Sequence, residues 1–78
     1  MPRFFIDTHN DEEVAQDRHG YSLPDAETAR AMAMRTLRDM AIDELPDGES
    51  RSFKVLVRDE AGSLLYSATL TFEGGWQH

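Results

Sequence analysis

Residues 24–45, PDAETARAMAMRTLRDMAIDEL, decide the fold. Ala26, Ala29, Ala33, Leu37, Met40 and Ala41 recur at helical spacing and form one apolar stripe, flanked by Met32, Met34 and Thr36. Asp25 is the expected N-terminal cap, and Glu27 suits the positive end of the helix dipole. Leu45, Pro46, Asp47 and Gly48 supply the stop, because proline neither continues the hydrogen-bond ladder nor tolerates helical geometry before it. The small alanines of the stripe allow close approach to a sheet.

Alternating segments lie on both sides of this helix. In Arg3 to His9, Phe4, Ile6 and Thr8 share one side and Arg3, Phe5, Asp7 and His9 the other. Asn10 to Glu13 is polar and acidic, which predicts a turn before a short strand around Val14 to Gln16. Asp17, Arg18, His19 and Gly20 read as a tight turn opened by Asp and closed by a Gly with a positive backbone angle, after which Tyr21 to Leu23 continues the strand. After the helix, Ser52 to Asp59 alternates Phe53, Val55 and Val57 with Lys54, Leu56 and Arg58. A second Asp-x-x-Gly turn, Asp59 to Gly62, leads into a last strand from Ser63 to Glu73, and the two form a hairpin.

The predicted fold is therefore α+β: a four-stranded antiparallel sheet in ββαββ order, sheet order 2-1-3-4, with one long helix packed on one face. Its expected core is Phe4, Ile6, Leu23, Ala29, Ala33, Leu37, Met40, Phe53, Val55, Val57, Tyr66, Ala68, Leu70 and Phe72. Residues 1–73 make a single domain and 74–78 a flexible tail. With 78 residues there is room for one core, and a chain this short buries only about 60% of its unfolded surface. Self-association is the natural supplement.

Composition removes several function classes. There are no cysteines, so disulfides, thiolate metal sites and thiol catalysis are out, and a reducing cytoplasm is the expected compartment. The opening residues Met1 to Asp7 lack a secretory leader pattern, and no apolar run approaches the roughly 18 residues of a membrane span. Fifteen acidic against eight basic residues give a formal charge of −7, which repels phosphate backbones and anionic lipids, so neither nucleic acid nor membrane is an expected partner. Base stacking on Phe5 beside Lys54 and Arg58 is the one nucleic-acid reading, and the net charge opposes it.

Asp7, His9, Asp11, Glu12, Glu13, Asp17 and His19 crowd into thirteen residues, and imidazole with carboxylate binds zinc, manganese or iron. Asp7 and His9 share a strand face and are the local pair that would converge on a metal. No His-x-x-x-His helix and no alternating calcium loop accompanies them, so an ordinary acidic turn is the simpler account and no metal or other cofactor is expected. No serine sits in a Gly-x-Ser-x-Gly turn, and Gly74 and Gly75 open no helix that would cradle phosphate. No catalytic residue is expected. What stands out instead is apolar: Phe5, Leu56 and Leu65 fall on the sheet face opposite the helix, and Trp76 is placed to fold back over them, which is the pattern of a protein interface.

The opening Met1-Pro2-Arg3-Phe4-Phe5-Ile6-Asp7, the Leu23-Pro24-Asp25 entry with Ala29-Arg30, the Asp43-Glu44-Leu45-Pro46-Asp47-Gly48 exit and the Val57-Arg58-Asp59-Glu60-Ala61-Gly62 turn together resemble a family of small proteins of rhizobia-like alphaproteobacteria, a domain of unknown function. The resemblance implies a bacterial, cytoplasmic, stand-alone domain and transfers no activity. Tyr21, Leu23, Pro24, Asp25 and Ala29 also resemble, over about a third of the chain, the antitoxin half of HicB-type toxin and antitoxin pairs, which would imply masking of a partner protein. The expectation drawn from all of this is a non-enzymatic protein-binding or regulatory module that self-associates. Its rival is a small metal-dependent or acid/base enzyme using Asp7, His9 and neighbouring carboxylates.

Overall fold

A computed structural model describes residues 1–11, 13–44 and 50–77, with the side chain of Glu44 left aside. The expected stop at 45–48 lies outside the described residues. The elements are β1 (Arg3–Asn10), β2 (Glu13–Ala15), β3 (Tyr21–Ser22), α1 (Ala26–Glu44), β4 (Ser50–Arg58) and β5 (Leu64–Glu73). Among the described residues the fold is α+β, with one helix and an antiparallel sheet of five strands rather than four. What reads as one second strand is two: β2 pairs with Thr8 to Asn10 and β3 with Arg3 and Phe4, both along the outer edge of β1. Residues 16–20 leave the ladder between them because Asp17 and Gly20 fold the chain into a turn. The order β2-β1-β4-β5 is the one expected from the crossover.

Helix α1 begins where expected. The Asp25 carboxylate accepts the Thr28 backbone N–H at 2.8 Å and the Thr28 hydroxyl at 2.6 Å, satisfying a donor the first turn leaves open. Ala29 and Ala33 have no exposed surface and let the helix backbone come close to Phe53, Val55 and Val57, which are fully buried on the sheet side. Each of these three stabilises the fold by roughly 1.5–3 kcal/mol through burial. Phe4, Ile6, Leu37 and Ala41 complete the core, with Leu23, Met32, Met40, Tyr66 and Ala68 packed partly buried against it.

Two members of the expected core stand outside it. Leu70 is 39% exposed and Phe72 half-buried. The reason is the path of the helix: Arg30 and Met34 of its first half lie against Tyr66 of β5, whereas Met40 near its end borders Thr8, Asn10, Val14 and Ala15 of β1 and β2. It crosses the sheet diagonally, leaving the second half of β5 uncovered by α1.

The β4–β5 connection closes as read. Gly62 N–H donates to the Asp59 carbonyl at 3.0 Å, Gly62 takes φ +86°, and the Asp59 carboxylate accepts the N–H groups of Ala61 and Ser63. A register shift beside Val57 and Arg58 makes a bulge at Leu64 and Leu65.

Candidate functional site

A hydrogen-bonded polar cluster is built on the sheet face opposite α1. Asp7 in β1 stands opposite Leu56 of β4, and Arg58 is paired two residues along with Phe5, so the Arg58 side chain lies diagonally across from Asp7. Its Nε donates to Asp7 Oδ2 at 2.6 Å and its Nη2 to Asp7 Oδ1 at 3.1 Å, a two-pronged carboxylate clasp. Arg58 Nη2 also reaches the Asp17 carbonyl at 3.0 Å. The Asp17 N–H donates to Asp7 Oδ1 at 2.9 Å. Asp17 then returns its own carboxylate to backbone: Oδ2 accepts Ile6 N–H, and Oδ1 accepts the N–H groups of His19 and Gly20. These three side chains staple the turn between β2 and β3 onto β1 and β4.

Electrostatics follow the hydrogen bonds. The Arg58 guanidinium holds the Asp7 carboxyl below its ordinary value against the opposing effect of burial, with the Asp17 N–H adding to it. Burial pushes the Asp17 carboxyl up, but the N–H groups of Gly20, Ile6 and His19 outweigh it and leave it lowered. Asp7 holds Arg58 more firmly protonated.

A second cluster closes the far end of β1. Asp11, at φ +54°, continues the ladder: its N–H donates to the Ser52 carbonyl at 2.9 Å and its carboxylate accepts the Ser52 N–H at 3.0 Å. Arg51 pairs with the Asp11 carboxylate and the Asn10 side chain, and lies 5.3 Å from the Phe53 ring centroid. Asp7, midway along β1, and Asp11, just after it, thus each hold an arginine from one end of β4.

The metal candidates Asp7 and His9 share the face predicted for them, opposite Leu56 and Lys54. Both Asp7 oxygens are engaged by Arg58. Among the described residues, no three His, Asp or Glu side chains converge as a metal site would require. Glu12 of the acidic cluster is outside the described residues.

The apolar candidates are scattered. Phe5 is half-buried, with the Arg58 guanidinium 5.0 Å from its ring centroid and Gly20 against its edge. Leu56, also half-buried, sits between Asp7 and Ser67. Leu65 lies at the bulge, 44% exposed, and Trp76 is 94% exposed and does not cover the face. Reading the sequence alone misses the Asp7–Arg58 clasp, although its signal is there: opposite charges on one face of two strands. Their register, which sets the diagonal, is not written in either strand.

Among the described residues, no helix is long and apolar enough to cross a membrane. No curated protein and no solved structure matches the chain. Residues 3–71 match the family model of a domain of unknown function, DUF6894, and the chain belongs to that family.

Proposed function

We propose that this chain is a small protein-binding module that self-associates and acts without catalysis. The observation that carries the reading is a division of labour between its side chains. The charged groups with close geometry, Asp7, Asp17 and Arg58, are spent on one another and on backbone N–H groups, as fold-holding groups are. Large apolar side chains are left to solvent instead: among the described residues Met1, Val14, Tyr21 and Ile42 are spread over the N-terminus, β2, β3 and α1, while Leu64, Leu65, Leu70 and Trp76 share β5 and the segment after it. The open face adds Phe5 and Leu56 as secondary contacts. Small size supports the same conclusion, because a partner supplies burial that 78 residues do not. The partial likeness to antitoxin domains points the same way, toward occupying a protein surface.

The test is solution mass by light scattering across a concentration series, on wild type and on Leu65→Glu. A dimer weakened by the substitution is expected. A monomer up to about 1 mM, where association would be weaker than roughly −4 kcal/mol, removes self-association.

A further inference from the structure

The two edges of the sheet are built differently. The outer edge of β1 is occupied by short strands, β2 and β3, and the gap between them is filled by Asp17, whose carboxylate takes the Ile6 N–H. Charged Glu13 flanks this edge at one end and Pro24 follows it at the other. Such features stop further strand pairing. The other edge is β5, ten residues long and extended from Leu64 to Glu73. It holds no Lys, Arg or Pro, and Leu64 to Phe72 carries no charge in a chain that is 29% charged.

Ladder alternation says which groups β5 offers. Ile6 N–H points off the outer edge of β1, so Phe5, Asp7 and His9 face β4. Their partners Arg58, Leu56 and Lys54 face back, which turns Val57, Val55, Phe53 and Arg51 toward β5. Tyr66, Ala68, Leu70 and Phe72 answer them. The N–H and C=O groups of Ser67, Thr69 and Thr71 therefore project outward from the edge, and all three residues are exposed.

We infer that β5 pairs antiparallel with β5 of a second copy, joining two sheets into one continuous ten-stranded sheet. This rests on the self-association proposed above and names its contact. The argument for a second copy, as against some other strand, is the pattern of β5 itself. Outward-facing residues can hydrogen-bond only to outward-facing residues, so a two-fold axis at Thr69 sets even positions opposite even and odd opposite odd. On the helix side, Tyr66, Ala68, Leu70 and Phe72 of one copy then meet the same four of the other, which buries the Leu70 and Phe72 surface that α1 leaves bare. On the other side Ser67, Thr69 and Thr71 face one another. Two copies of a −7 chain meet along an uncharged strand, where like-charge repulsion is least. The open face is the poorer contact, since Asp7, His9, Lys54 and Arg58 line it and Phe5 is already covered by Arg58. Pairing also ends at two, because each dimer would present only its protected β2 and β3 edges.

Thr69→Pro tests this directly. Proline removes an N–H that points away from β4, so the internal ladder is kept while both copies lose a bond across the axis. The dimer dissociation constant should rise about 10–100-fold. Thr69→Lys, which sets charge against charge at the axis and leaves the backbone alone, should weaken the dimer too and serves if the proline variant does not fold. In the wild type, amide exchange at Ser67, Thr69 and Thr71 should slow as concentration rises. A wild-type monomer overturns both this inference and the self-association beneath it. A dimer that ignores both substitutions, with those three amides exchanging freely, overturns edge pairing alone, and its loss on Leu56→Glu would place the contact on the open face.

Discussion

Arg58 clasps Asp7 through two nitrogens, from 2.6 and 3.1 Å, although the two residues are 51 positions apart and not directly opposite in the ladder. Asp7 is 9% exposed, so its charge is held largely out of water and depends on this partner. Asp7→Asn keeps the shape and removes the charge, leaving Arg58 without its counter-ion. Because Arg58 keeps part of its surface in solvent, the cost falls toward the lower end for such pairs, about 2–4 kcal/mol. Urea unfolding followed by circular dichroism measures it. A midpoint equal to wild type would mean that the clasp contributes nothing to stability.

The same carboxylates set the acid limit of the fold. Asp7 and Asp17 both titrate below the ordinary value of 3.8 when folded, so the unfolded chain takes up their protons first as pH falls. Their contribution is complete above about pH 5, and it is lost as pH drops through 3.8 toward their folded values. Urea midpoints measured from pH 7 to pH 3 should stay level and then fall. Asp7→Asn should start lower and fall less steeply. An equally steep acid limb in that variant would assign the acid sensitivity to other groups.

Much of this architecture is legible in the sequence, and the parts that are not share one cause. Local chemistry is readable: Asp25 caps the helix, Gly62 takes a positive angle in its turn, and Phe53, Val55 and Val57 alternate into the core. The chain direction of each strand and the crossover also follow from the pattern, which is why the sheet order is recovered. Relations between elements are different. Asp17 reads as a turn residue, and it is one, but its second oxygen reaches Ile6 and divides one expected strand into two. Leu70 has the alternation of a core residue, and only the diagonal course of α1 decides that it stays exposed. Asp7 and Arg58 could be placed on one face from the sequence, but not joined, since register is a property of the pair of strands.

The alanine stripe makes a sharper forecast. Ala33 has no exposed surface and lies in the core with Phe53, Val55 and Val57, whereas Ala31, two residues earlier, is exposed beside Met32 and Arg35. Ala33→Leu inserts three carbons where the helix meets the sheet and should cost about 1–3 kcal/mol as α1 is pushed away. Ala31→Leu should change stability by less than about 0.5 kcal/mol, since leucine is nearly as good a helix former and meets no wall. Thermal unfolding of the two variants side by side tests the claim, and equal effects would show that the helix does not sit on its alanine face.

Two glycines at positive φ separate backbone strain from crowding. Gly62, at φ +86°, has nothing within 4 Å of where a Cβ would stand, so Gly62→Ala carries conformational strain alone, about 1 kcal/mol. Gly20, at φ +73°, carries the same strain and more, because its Cβ would come within 2.9 Å of Arg3 Cγ, the Phe4 carbonyl oxygen and Phe5 Cε1. The side-chain atoms can shift, but the Phe4 oxygen belongs to the β1 backbone where β3 pairs with it. Gly20→Ala must therefore displace the turn that carries Asp17, and with it the Asp17 N–H bond to Asp7. It should cost about 2–4 kcal/mol, at least twice the effect at Gly62. Because the displaced turn weakens what lowers the Asp7 and Asp17 carboxyls, Gly20→Ala should also flatten the acid limb, whereas Gly62→Ala should lower stability at every pH alike. Equal losses at the two glycines, with parallel pH profiles, would mean that the turn at 17–20 is not held to β1 in the way these hydrogen bonds describe.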